Sequence, residues 1–99
     1  MIKIGICDDE ITIIKAIAKF TESAIISTDF NAEICCMTDN QSVIYEKIKN
    51  NEIDILFLDV DFHNGGKNGI DFALELRKIN KDFKLIFITR SFWVCITFI

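Results

Sequence analysis

The chain has 99 residues, 51% of them hydrophobic, which is enough for one packed core and too little for two. Its net charge of −4 excludes a sequence-independent grip on nucleic acid, which needs clustered Lys and Arg against phosphates. The opening apolar run, Ile2 to Cys7, is too short for a signal peptide, and no stretch nears the roughly 18 apolar residues of a membrane span, so a cytoplasmic protein without membrane contact is expected.

The cysteines are Cys7, Cys35, Cys36 and Cys95. They form no Cys-x-x-Cys pair, and His63 is the only histidine, so a zinc site lacks ligands. They read as small hydrophobes in a reducing compartment. His63 reads as a solvated loop residue.

Taken in chain order, Ile2 to Cys7 is β-branched and apolar, the mark of a buried strand. Asp9 can cap the helix that follows, with Glu10 in its first turn; Ile13, Ile17, Phe20 and Ala24 recur at helical spacing and predict its buried face. Ala32 to Thr38 predicts a second strand, with Cys35 and Cys36 on opposite faces. Asp39 or Asn40 starts a shorter helix carrying Val43, Ile44 and Ile48. Ile53 to Asp59 is nearly all apolar and suits a central strand covered on both sides. A glycine-containing loop leads to a third helix over about 70–79, with Phe72, Ala73, Leu76 and Ile79 on one side. Phe83 to Thr89 predicts a fourth strand. This alternation means an α/β fold with a doubly wound parallel sheet. Lys47, Lys49, Arg77, Lys78 and Lys81 read as solvated helix positions, and Phe57 and Phe87 as core.

In an open parallel sheet, ligands bind outside the carboxyl ends of the strands. Those ends carry Asp8 and Asp9, then Asp59, then Thr89. Two ionised carboxylates 4–5 Å apart repel by roughly 3–4 kcal/mol at an effective dielectric near 20. Such a cluster calls for a cation or a raised pKa, and hard oxygen donors select Mg²⁺ or Mn²⁺.

Ile6-Cys7-Asp8-Asp9-Glu10, Ile55-Leu56-Phe57-Leu58-Asp59, Asn68-Gly69-Ile70 and Ile86-Phe87-Ile88-Thr89 together resemble the receiver domains of two-component response regulators. The Cys-Asp-Asp-Glu opening and the Asn-Gly-Ile turn look most like receivers of LytTR-type regulators. The resemblance implies a flavodoxin-like sheet of order 2-1-3-4. It also implies a phosphoacceptor, not an enzyme, taking a phosphoryl group from a sensor histidine kinase on Asp59. Asp9 would bind Mg²⁺ directly and Asp8 largely through water, with the backbone carbonyl of Asp61 as a further ligand. Thr89 would hydrogen-bond a phosphoryl oxygen and act as the switch.

Residues 1–90 carry the resemblance and 91–99 form an apolar tail unlike the family. The usual fifth strand and last helix are not recognisable, nor is the family lysine, since Lys84 and Arg90 stand at other places. The loop from Asp59 to Gly69 is longer than the family norm. The open edge of the fourth strand predicts either residues 92–99 folded back as a surrogate strand or, as the favoured route, a homodimer through that edge or that tail. Two other functions compete. One is a truncated receiver remnant that serves only as an interaction module. The other is a phosphatase of the haloacid-dehalogenase type using Asp59-Val60-Asp61, for which later Lys and paired-Asp motifs are absent.

Overall fold

The structure is a computed structural model that describes residues 1–62, 66–89 and 93–95. Four strands, β1 (Ile2–Cys7), β2 (Ala32–Thr38), β3 (Ile55–Asp59) and β4 (Lys84–Ile88), alternate with helices α1 (Ile11–Thr28), α2 (Gln41–Lys49) and α3 (Gly69–Ile79). The four strands are parallel in the order β2-β1-β3-β4. Outside β4 lies a three-residue strand, β5 (Trp93–Cys95), antiparallel to it, with Ile88 opposite Trp93 and Ile86 opposite Cys95. This matches the fold-back alternative for the tail rather than the favoured homodimer, over the three residues described. Over these residues β5 takes the place on the edge that a second copy would need.

The sheet separates two cores. On one side Ile14, Ile17 and Ala18 of α1 cover Ile4, Ile6, Phe57 and Ile88; on the other, α2 and α3 cover Cys7, Leu56, Leu58, Leu85 and Phe87. Adjacent residues of β3 therefore face opposite cores, which is why the strand is apolar without a break. Burying a Leu or Ile side chain contributes about 1.5–3 kcal/mol. These two layers thus fix which strand end faces solvent, and so where the polar residues emerge.

The register of β1 on β2 slips at Ile4 and Gly5: Ile4 lies opposite Ile34 and Gly5 opposite Cys36. Cys35 is the extra residue, exposed, while Cys36 leans on the core. The predicted alternation of the pair thus holds. Burial pushes the Cys7, Cys35 and Cys36 thiols up, which makes them poor nucleophiles.

Three expectations shift. The buried face of α1 is Ile14, Ile17, Ala18 and Thr21; Phe20 is 61% exposed and Ala24 is exposed as well. The helix is so rich in isoleucine that two neighbouring stripes satisfy the same spacing, and packing chooses between them. Asp9 does not cap α1. Glu10 occupies the cap position, its side chain makes no capping bond, and its N–H donates to Asp8 Oδ1 at 2.9 Å. Arg77 is not solvated: it is 7% exposed, and its guanidinium lies over the Phe83 ring, 4.1 Å from the centroid. Val43 and Ile79 sit at the margins of their faces, each more than a third exposed. The caps of α2 and α3 are Asn40, accepting from the Ser42 N–H, and Asn68, accepting from the Asp71 N–H.

Candidate functional site

Each acid of the predicted site stands where a strand ends. Asp8 follows β1 and Asp59 closes β3, and these strands pair directly, with Cys7 opposite Leu58. Pairing of the two innermost strands therefore brings together residues 51 positions apart. Asp8, Asp9 and Asp59 each place a carboxylate oxygen within 4.8 Å of the others. Asp8 is 3% and Asp59 7% exposed, whereas Asp9 is half-buried.

Each buried acid is held by a backbone donor two residues on. The Glu10 N–H donates to Asp8 Oδ1 and the Asp61 N–H to Asp59 Oδ1, both at 2.9 Å. Those bonds lower the two pKa values, but burial outweighs them. The Asp8 carboxyl is pushed up to about 7 by burial first, then by the charges of Asp59 and Asp9. Asp59 is raised by burial and by Asp9 and Asp61. The rim thus holds more negative charge than it can stabilise by itself, and all of its donors are hard oxygens. A divalent cation of the Mg²⁺ or Mn²⁺ type fits that donor set.

Thr89 belongs to the same site. With Asp8, Glu10, Ile13, Asp59 and Ile88 it lines a hollow of about 20 Å³, room for about one water-sized group. Asp61 is exposed beside it. Lys84 lies at the opposite end of β4 and is exposed, so it does not reach the rim. His63 and Arg90 lie outside the described residues.

The sequence reading missed one strand end and one glycine as contributors. Asp39 and Thr38, at the end of β2, line a hollow of about 270 Å³ together with Asp8, Asp9 and Met37. The Asp8 N–H donates to the Thr38 carbonyl at 3.2 Å, which ties that strand end to the site. Both residues sit on the same rim as the acids, so their position at a strand end was the available signal. The glycine is Gly69. A Cβ there would lie 2.1 Å from the Asp59 carbonyl oxygen and 2.7 Å from Val60 Cα, so α3 starts on the backbone of the acid-bearing strand. The Gly69 N–H donates to the Val60 carbonyl at 3.0 Å, and the Val60 N–H to the Ile88 carbonyl at 3.1 Å.

This arrangement of sheet, helices and strand-end acids has counterparts among solved structures. A chain in the complex of histidine kinase ThkA with response regulator protein TrrA superposes with a TM-score of 0.71 at 27% identity, over 91% of this chain and 70% of that one. The fold is that of a response-regulator receiver domain. The signal receiver domain of a modulated diguanylate cyclase from Desulfovibrio desulfuricans G20 gives a TM-score of 0.72 at 20% identity, over 92% of this chain and 66% of that one. RcsB from Salmonella enterica serovar Typhimurium gives 0.73 at 13% identity, over 90% of this chain and 69% of that one. Among curated proteins, the chain is 28% identical over 89 residues to the transcriptional regulatory protein NatR of Bacillus subtilis (strain 168). That match covers 90% of this chain and 35% of NatR, so the chain spans about a third of its relative's length. No family model matches the chain. No helix among the described residues is long and apolar enough to cross a membrane.

Proposed function

We propose that this receiver accepts a phosphoryl group on Asp59 from a phosphohistidine of a sensor histidine kinase. The observation that carries the proposal is the convergence of Asp8, Asp9 and Asp59 within 4.8 Å, two of them buried. Asp8, Asp9, Asp59 and the backbone carbonyl of Asp61 would hold Mg²⁺, or Mn²⁺ in its place. When bound, the cation supplies positive charge against the phosphoryl oxygens and the rim carboxylates.

The chain's own groups set the rest of the chemistry. The Asp61 N–H engages Asp59 Oδ1, so attack on phosphorus falls to Oδ2. The phosphorus–nitrogen bond to the donor histidine breaks as the acyl-phosphate bond forms. Asp8 and Asp9 would hold the cation and take no part in the bond change. The Thr89 hydroxyl, beside Asp59 in the same hollow, donates to a phosphoryl oxygen and carries the new charge into β4. The likeness to a chain from a kinase–regulator complex supports the choice of donor. RcsB was solved in the presence of phosphomimetic BeF₃⁻, and the MaeR response regulator was solved bound to beryllium trifluoride, which supports the choice of chemistry. A LytTR-type output partner fits the Cys7-Asp8-Asp9-Glu10 and Asn68-Gly69-Ile70 segments.

Acetyl phosphate with Mg²⁺ tests the reading without a cognate kinase. The intact mass should rise by one phosphate, and Asp59→Asn should remove the gain. A protein that stays unmodified at saturating donor and cation is instead an interaction module that no longer switches.

A further inference from the structure

We infer that Gln41 is a positioning residue for Asp59: its side-chain amide clamps the arm of the β3–α3 connection that returns to the acid rim. The inference rests on the phosphoacceptor reading for its consequence, though not for its geometry.

Gln41 is the first residue of α2 and is half-buried. Its Nε2 donates to the Lys67 carbonyl at 2.6 Å, and the Lys67 N–H donates to its Oε1 at 3.0 Å. One amide thus satisfies both backbone groups of one loop residue, as a neighbouring strand would. The residue before Lys67 is shaped to this contact. A Cβ on Gly66 would lie 2.5 Å from Gln41 Oε1 and 2.8 Å from its Cδ. The far end of a side chain ordinarily yields to such an intrusion. Here that end is held by two hydrogen bonds and cannot move without losing them.

Two residues beyond Lys67 the arm reaches Gly69, whose Cα packs on the Asp59 carbonyl and whose N–H donates to Val60. A shift of the arm is therefore passed straight to the backbone that presents the acceptor carboxylate. Among the described residues, the arm's other side-chain ties stay within the arm and α3. Lys67 Nζ pairs with Glu75, but Lys67 is 58% exposed and such pairs add little. Asn68 caps α3 itself. Gln41, by contrast, is anchored in the β2–α2 connection. There the Asn40 N–H donates to Thr38 Oγ1, the Ser42 N–H donates to Asn40 Oδ1, and the Thr38 carbonyl receives the Asp8 N–H. Through this one amide the connections after β1, β2 and β3 become a single stitched rim around the acids. Groups bonded directly to a metal's ligands change its affinity about 10- to 100-fold when removed, and a group that acts one step further out, through Gly69, falls at the low end of that range.

The test uses the whole chain and three variants. Gln41→Ala removes the clamp. Gln41→Glu keeps its shape but replaces the donor with an oxygen facing the Lys67 carbonyl. Gly66→Ala displaces the amide. Metal-free NMR spectra should show the Asp59 and Gly69 amide resonances moved, and Lys67 exchange accelerated, in all three variants. The Mg²⁺ concentration for half-maximal phosphorylation by acetyl phosphate should rise about tenfold. Gln41→Glu should be as impaired as Gln41→Ala, and the Gln41→Ala/Gly66→Ala double variant no worse than either single one. A contact that merely stabilised α2 would lower the Tm and leave the Mg²⁺ midpoint and the Asp59 resonance in place, which would overturn the proposal. If the native chain takes up neither metal nor phosphate, the phosphoacceptor reading fails. The metal-free spectra then decide alone: unmoved Asp59 and Gly69 resonances refute the clamp, and moved ones uphold it.

Discussion

Raising the pH from 5 to 8 in the absence of divalent cations should weaken this fold. Asp8 titrates near 3.8 when unfolded and at about 7 in the native rim, where burial and the neighbouring Asp59 and Asp9 oppose its charge. Below 3.8 both states hold the proton. Between the two values the native state keeps a proton that the unfolded chain has released, so this source of stability drains away as the pH climbs towards 7. At 1.36 kcal/mol per decade the whole interval corresponds to a ceiling of ~4 kcal/mol. Only the part above pH 5 is free of acid denaturation, and water reaches the rim. We therefore expect a loss of about 2 kcal/mol over the window. Asp59 shifts in the same direction and adds to it. In urea unfolding followed by circular dichroism, with chelator present, the midpoint should fall by about 1–2 M between pH 5 and 8. Saturating Mg²⁺ should reverse the trend, since the cation binds the ionised rim. Asp8→Asn should remove most of the slope. A metal-free midpoint that is flat or rises across this range would refute the account of the rim as a site of uncompensated charge, as would an Asp8→Asn variant with the full slope.

Two further outcomes follow from the same coordinates. Calorimetry should show Mg²⁺ binding to the native chain and none to Asp9→Asn or Asp59→Asn; unchanged affinity in either would remove that residue from the ligand set. Gly69→Ala should cost about 3 kcal/mol, because the new methyl group meets backbone atoms of Asp59 and Val60, while Gly5→Ala, which meets only the tip of Ile53, should cost about 1 kcal/mol or less. Equal urea midpoints for the two variants would show that the α3 start can move.

Strands β1 and β3 were legible because two-sided burial leaves an unbroken apolar run, and the acids were legible because each directly follows such a run. The exposed face of α1 was not. Ile11, Ile13, Ile14, Ile17, Ile25 and Ile26 offer overlapping stripes, and only packing on Ile4, Ile6 and Phe57 selects Ile14, Ile17 and Ala18. Asp9 has the composition of a cap, yet the rim draws it into the acid cluster and leaves the capping position to Glu10. The Gln41 clamp was invisible for another reason. It joins the first residue of α2 to a loop residue 26 positions away, and no local pattern marks a side chain that will pair with a distant backbone. The burial of Arg77 likewise depends on Phe83, which arrives from the connection just before β4.

The parallel register has a kinetic consequence. β1 and β3 cannot meet through a tight turn, since more than forty residues and a whole β-α unit separate Cys7 from Leu58. Chain closure over that distance must come before Asp8 and Asp59 feel one another. The carboxylate repulsion is therefore absent from the early, locally structured chain and arises only as the central strands zip towards their carboxyl ends. A cation bound at the rim should accordingly leave the folding rate almost untouched and slow unfolding, so its removal shortens the lifetime of the native state without delaying its formation.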